Sequence, residues 1–434
     1  MKPKYKQFIF EDYSFDTKAN IATLKYSFDG ELKFEERIIW DNLDPAGYDQ
    51  AAFDRVLFGL WIMAGISYYK AYLAPEIVVK KGGLNSAQKA FFDDVYLYGL
   101  SQFLYTNQLD PAVVAKFPAG SDHASPAPSL DLKGSLLAVG GGKDSIVAAE
   151  LLDKLGEDYF TWVVYHHDRF KPLLDKIGKP SFGINRQIDP KLKEVNEQDA
   201  YNGHVPVTAI IGFMGAVLAI LTGKKSLVWA VESSTDEPNT TWKDLPVNHQ
   251  YSKSSMFEVI MDKYLKDNVA ANMDFYSVLR PLSELRIAEI FCRDYFDKYK
   301  GLFSSCNGNF YLDKKDKLSW CGQCPKCAFV YTIFSPFLKK AELMEIFNGR
   351  DLFADNNLRG TFEQMLGLDG IKPLECVGEI AEVRTAMQIA KDSGDYPELA
   401  RFVFPRPDYD YKKWHRSYMP DQIESRLKEL LGSA

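Results

Sequence analysis

The sequence predicts an α/β fold: a doubly wound parallel sheet, preceded by an N-terminal α+β module and followed by a mainly helical extension. Three observations carry this expectation. Between residues 135 and 299, short apolar runs rich in β-branched and aromatic residues alternate with helical stretches, the exchange that builds a parallel sheet covered on both faces. A glycine run, Val139-Gly140-Gly141-Gly142, stands at the first strand-to-helix junction of that series. At 434 residues the chain exceeds what one ordinary core serves, so more than one domain is expected.

Taken in order, residues 8–10, 21–28 and 32–40 read as strands, and Asp29-Gly30 between the last two is a hairpin signal. Helical spacing of apolar residues follows over 51–73 and 87–105. Residues 117–130, rich in Pro, Ala, Ser, Gly and Asp, have the composition of an exposed connection. The α/β series then places strands at 135–139, 159–165, 181–188, 227–231 and 275–279. Its helices fall at 144–155, from about 206, at 254–265 and at 283–299. Beyond it, helices are expected at 341–347, 361–366 and 378–391. The resulting division is 1–130, 131–300, 301–340 (a cysteine segment) and 341–434.

Composition narrows the function classes. Lys and Arg number 52 against 59 Asp and Glu, a net charge of −7, which gives no general attraction to polynucleotide; no nucleic-acid partner is expected. The opening Met1-Lys2-Pro3-Lys4-Tyr5 is not followed by the apolar block of a signal peptide. The uncharged run 205–222 approaches membrane length, but Pro206 suits a helix start and a strand follows at α/β spacing, so a buried helix is expected and no membrane. Four of the six cysteines crowd between 306 and 327, a pattern that in an intracellular chain points to metal rather than disulfides. The expected location is the cytoplasm.

The most specific chemistry lies in Gly140, Gly141, Gly142, Lys143, Asp144 and Ser145. Glycines let successive backbone N–H groups turn toward one anion, and the following helix adds its positive end. Lys143 and the Ser145 hydroxyl add contacts, and Asp144 can cap the helix or help hold Mg²⁺. A Walker A loop needs Ser or Thr directly after the Lys, where Asp144 stands; a dinucleotide fingerprint needs a small residue at Ser145. Neither fits. A glycine-rich turn without ligand is the plain alternative.

Cys321-x-x-Cys324-x-x-Cys327, preceded by Cys306, offers four thiolates. A structural zinc is expected there, with an iron–sulfur cluster as the alternative and reduced thiols without metal as the plain reading; Cys292 and Cys376 read as buried hydrophobes. Glu232-Ser233-Ser234 and Asn248-His249-Gln250-Tyr251-Ser252-Lys253 flank a polar stretch after the 227–231 strand. That density of donors and acceptors suits either a polar substrate or a solvated surface loop.

The run Gly140 to Ser145 resembles the loop of the PP-loop ATP pyrophosphatases, Ser-Gly-Gly-x-Asp-Ser, with Gly140 in place of the first Ser. This resemblance implies an adenine nucleotide α-hydrolase-like sheet, and ATP split to AMP and pyrophosphate with AMP passed to a substrate oxygen. Within that superfamily, 7-cyano-7-deazaguanine synthase has a similar cysteine cluster. A nucleobase or tRNA-modifying enzyme is therefore the alternative, although such chains lack a module like residues 1–130. The whole chain is similar to the MurL epimerase family. Gly140 to Ser145, Val247 to Lys253, Trp320 to Val330 and Glu375-Cys376-Val377-Gly378 carry that similarity. It implies ATP- and Mg²⁺-dependent inversion of the terminal L-Glu of a UDP-MurNAc-dipeptide for peptidoglycan synthesis. For the proton transfer the expected candidates are His249, Lys253 and Glu232, chosen for their place in the polar loop. Oligomeric state is not legible.

Overall fold

Alternation of buried and exposed side chains sets the first strands. β1 (Gln7–Asp16), β2 (Ile21–Phe28) and β3 (Leu32–Asp41) form an antiparallel meander, with Asp29 and Gly30 both at positive φ in the turn between β2 and β3. The computed structural model describes residues 4–41, 43–45, 47–118, 120, 126–164, 167–310 and 317–432. Met1 to Pro3, Tyr165 of the second α/β strand, and positions 119 and 121–125 of the expected connection lie outside the described residues.

The remaining strands are β4 (Glu76–Val79), β5 (Ser135–Ala138), β6 (Tyr159–Val164), β7 (Ser181–Gln187), β8 (Ser226–Trp229), β9 (Thr240–Trp242), β10 (Leu245–Val247) and β11 (Asp274–Ser277). Nine of them make one sheet in the order β11-β8-β5-β6-β7-β3-β2-β1-β4, while β9 and β10 form a separate hairpin. From β11 to β7 every pairing is parallel. β7 then pairs antiparallel with β3, Trp40 opposite Ile184, and the meander follows.

The expectation of a purely parallel sheet is therefore corrected to a mixed one. The reason is physical: β7 would otherwise be an open edge, and the N-terminal meander covers it. The sheet also runs without interruption across the division expected at residue 130. Phe117, expected to open an exposed connection, is buried, and its N–H donates to Asp93.

Successive residues of the central strands face opposite cores. Leu136, Trp162, Leu227 and Phe275 pack on one side; Leu137, Val163, Val228 and Tyr276 pack on the other. On the first side lie the helices Gln50–Ala64, Val207–Thr222 and Ser255–Asn268. The 205–222 run is thus the buried helix expected. Gly215 in it approaches Trp162 so closely that a Cβ would stand 2.6 Å from the indole. Gln50–Tyr69 is long and apolar enough to cross a membrane, but 83% of its apolar window is buried in the fold.

The other side carries the helices Lys143–Lys154 and Glu284–Ile290, then the C-terminal helices Pro325–Phe334, Arg359–Met365 and Ile380–Ser393. The helix expected over 283–299 is interrupted by a π-helical turn at Phe291–Tyr295. Strand β4, the β9–β10 hairpin and the helices His167–Ile177, Lys191–Gln198 and Asp421–Leu431 were not foreseen from the sequence.

Candidate active site

Strand order reverses at β5: β6 and β7 lie to one side, β8 and β11 to the other. The loops leaving β5 and β8 diverge there and open a crevice at the carboxyl ends of the strands. A cleft of about 1330 Å³ fills it, larger than the ~300–1,000 Å³ usual for one small ligand. It extends from the glycine loop past Trp162 and Trp229 to Arg186, Lys70 and Asn202, and on its other wall to Asn307, Lys326 and Cys376.

Gly140, Gly142, Asp144 and Ser145 line the cleft. Gly141 turns the chain at φ +80°, and a Cβ there would meet Phe170 at 2.8 Å and Leu318 at 3.0 Å. At Gly140 a Cβ would meet nothing within 4 Å, so glycine is not forced there by packing. The helix Lys143–Lys154 begins at Gly142 without a side-chain cap, leaving its first N–H groups for an anion. Ser145 Oγ donates to the Gly142 carbonyl at 3.0 Å.

Beside the loop, carboxylate oxygens of Asp144, Glu232 and Glu284 lie within 4.8 Å of one another. Three such charges repel unless a cation joins them. The Lys143 ammonium is turned to this cluster, paired with Asp144 and Glu284 and only 4% exposed, and Lys326 stands 3.8 Å from Glu284. Burial, then the charges of Asp144 and Glu232, push Glu284 up to about 8 despite Lys143 and Lys326. Burial opposes the charge on Lys143 as well, but Asp144 and Glu284 more than offset it and raise the amine. An all-oxygen trio suits a hard divalent ion such as Mg²⁺.

Four cysteine sulfurs, from Cys306, Cys321, Cys324 and Cys327, also gather within 4.8 Å of one another. The Cys306–Cys324 and Cys321–Cys327 separations are 3.9 and 3.7 Å. Tetrahedral Zn–S bonds of ~2.3 Å imply about 3.8 Å between sulfurs, so the donor set fits a metal. Backbone N–H groups of Gly322 and Gln323 donate to Cys327 and Cys321. This knuckle supports the glycine loop, because Ser304 N donates to the Gly141 carbonyl at 2.8 Å and Ser305 lines the cleft next to Gly142.

Comparison with known proteins bears on the same residues. The MurL N-terminal domain matches residues 1–278, and the MurL C-terminal domain matches residues 302–406. The chain belongs to the MurL family. Three relatives carry the name UDP-N-acetyl-alpha-D-muramoyl-L-alanyl-L-glutamate epimerase. That of Xanthomonas oryzae pv. oryzae is 36% identical over 93% of this chain and 90% of its own. Those of Micromonospora sp. and Salinispora tropica are 36% and 34% identical, over 90% and 98% of this chain and 88% and 95% of theirs.

Within this MurL-family chain the structure brings Glu232 to the acidic cluster and Lys253 to the cleft wall. His249 is not among the residues that line the cleft, although the charges of the cleft residues Lys253 and Lys326 act on it. Its Nδ1 is 2.6 Å from Gln102 Oε1, its ring is 4.4 Å from that of His204, and burial pushes it down to about 4. Most polar groups of the 232–253 stretch are used internally. Asn239 donates to the Pro373 carbonyl at 2.7 Å and Gln250 to that of Val377 at 3.2 Å. Buried Arg280 donates to the carbonyls of Glu232 and Lys253, both at 2.6 Å. The sequence reading missed Arg280, Glu284 and Lys326. Glu284 alone had a local signal, an acidic residue at the start of a helix after a strand. Cys376, read as a buried hydrophobe, is corrected: it is partly exposed, lines the cleft and accepts a hydrogen bond from Lys253 at 3.3 Å.

Proposed function

We propose that this MurL-family chain inverts the terminal L-Glu of UDP-MurNAc-L-Ala-L-Glu, after converting its carboxylate to an acyl adenylate with ATP. The observation that carries this reading is the uncapped glycine loop beside a trio of carboxylates, in a cleft larger than one small ligand requires. The name shared by the three relatives favours it over the nucleobase-modifying alternative.

The physical logic follows from charge. A carboxylate resists loss of its α-proton, because the carbanion would adjoin an existing negative charge. Transfer of AMP to the carboxylate oxygen, with pyrophosphate leaving, removes that charge. The α-carbon then gives up its proton, the electron pair enters the adenylated carbonyl as an enolate, and a proton returns on the opposite face. Water attacks the carbonyl, AMP departs, and the D-product is left.

In this reading the Gly140 to Ser145 backbone and the helix end bind phosphate oxygens in a PP-loop manner. Lys143 and Lys326 balance the acidic cluster. Asp144, Glu232 and Glu284 would hold Mg²⁺, which neutralises phosphate charge when bound. Zinc is the metal assigned to the four cysteines. Lys253 keeps its assignment to proton transfer or its support, and Glu232, expected for the same role from the sequence, is assigned to the cation; His249, whose Nδ1 is bonded to Gln102 and whose backbone N–H donates to Asn239 beside the hairpin, is assigned a positioning role. The reading places the protein in the cytoplasm, without nucleic-acid or membrane partners.

Incubation of the purified protein with ATP, Mg²⁺ and UDP-MurNAc-L-Ala-L-Glu should release AMP and invert the glutamate, followed by chiral analysis after hydrolysis. Absence of substrate-dependent AMP would refute it.

A further inference from the structure

Cys376 sits in the segment between the helices Arg359–Met365 and Ile380–Ser393, in the wall of the cleft that also contains Asp144, Ser145 and Lys326. The other cysteines have different surroundings: four form the knuckle, and Cys292 is buried, its thiol pushed up by that burial. Lys253 Nζ donates to Cys376 Sγ at 3.3 Å, and both line the cleft. Among the described residues, no carboxylate lies within ion-pairing distance of Lys253. The sulfur is therefore its near partner.

Both groups are held from behind. The carbonyl of Lys253 accepts from Arg280 and from Thr235 Oγ1 at 3.0 Å. The segment carrying Cys376 is fixed by Asn239 at Pro373, by Gln250 at Val377, and by the Lys372–Glu237 ion pair at 2.7 Å. Next to the thiol, Glu375 accepts from Asn307 Nδ2 at 2.5 Å. This explains where the polar loop's hydrogen bonds go: they aim a thiol and an ammonium at one place in the cleft, beside the nucleotide loop. The ammonium thus holds the sulfur by a hydrogen bond within the cleft.

We propose that the Cys376 thiolate, hydrogen-bonded by the Lys253 ammonium, removes the α-proton from one face of the adenylated glutamate. The inference rests on the function proposed above. In the step, the C–H electron pair moves into the adenylated carbonyl as the enolate and the proton moves to Sγ, giving a neutral thiol. Lys253 keeps its protons throughout, as a positioning residue. The group that returns a proton on the opposite face is a separate one.

The test separates adenylation from proton transfer. Substrate-dependent ATP–pyrophosphate exchange reports the first; solvent deuterium appearing at the glutamate α-carbon reports the second. Cys376→Ala should keep pyrophosphate exchange within a few-fold of the parent while deuterium uptake falls by about 100-fold or more. In Lys253→Met, alkylation of Cys376 by iodoacetamide at neutral pH, followed by peptide mass spectrometry, should slow about tenfold or more. Alkylation of Cys376 in the unmutated protein should abolish deuterium uptake in step with its labelling, a result independent of how the variants fold. Deuterium uptake at the parental rate in Cys376→Ala overturns the proposal. So does joint loss of both activities with an unchanged melting temperature, which would make Cys376 part of the adenylation site. Unchanged alkylation in Lys253→Met removes the role of the lysine. If the unmutated protein shows no pyrophosphate exchange with the substrate, the function itself fails and takes this step with it.

Discussion

At position 141 the backbone turns at φ +80° with Phe170 and Leu318 pressed against the space a Cβ would take, whereas position 140 faces open cleft. Two neighbouring glycines therefore answer to different constraints. Gly141→Ala should destabilise by about 1–2 kcal/mol from the backbone alone, and more from the clash. It should also weaken ATP binding, checked by urea unfolding and calorimetric titration. Gly140→Ser, which installs the residue of the PP-loop pattern it resembles, should stay within about 0.5 kcal/mol of the parent and, on the proposed function, bind ATP at least as well. Titration gives a second residue-scale expectation. Burial pushes His204 down to about 3 and His249 to about 4, from 6.5. Because the unfolded state binds these protons first, the stability due to neutral histidines is present above about pH 6.5 and lost as pH falls toward about 4. For His249 the loss by pH 5 is on the order of 2 kcal/mol. His249→Gln should flatten the profile of unfolding free energy against pH between 7 and 5; an unchanged slope would contradict the assignment.

Among the elements, the cysteine knuckle links two parts of the chain far apart in sequence. It fixes the turn that donates from Ser304 to Gly141 and sets Ser305 against Gly142. Loss of a metal bound there should therefore reach the glycine loop. Elemental analysis is expected to find about one zinc per chain. Cys324→Ala should lose it, lower the melting temperature and weaken ATP binding. Metal loss with ATP affinity intact would show that the loop stands without the knuckle. The sequence pattern announced this element because the spacing of Cys321, Cys324 and Cys327 is local. The polar 232–253 stretch was legible only as a set of donors and acceptors; that they are used on residues 373 and 377 depends on a contact more than a hundred positions away.

For the molecule as a whole, the junction of β3 with β7 makes one sheet from two regions. A buried ion pair sits on it: Arg186 Nε lies 2.7 Å from Glu36 Oε1 and Nη2 lies 2.9 Å from Oε2, with Ser67 Oγ accepting from Nη2. Glu36 and Arg186 side chains are 0% and 2% exposed. Removing one partner from a buried pair costs about 3–5 kcal/mol, so Glu36→Ala should cost that much in urea unfolding. Arg186 also lines the cleft; the same variant should raise the KM for the UDP-linked substrate more than that for ATP. Equal effects on both would place Arg186 outside the substrate's reach.

By itself the sequence determined the strand and helix alternation, the glycine loop and the cysteine cluster. Each is written in spacings of a few residues, where periodicity, turn chemistry and ligand geometry act directly. Tertiary structure decided the rest. It joined the N-terminal meander to β7, gathered Glu232 and Glu284 around Asp144 and Lys143, and put Cys376 beside Lys253. Those pairings bring together residues from distant segments. What selects them is burial of two cores on opposite faces of one sheet and the need to satisfy each buried charge, neither of which a local pattern records.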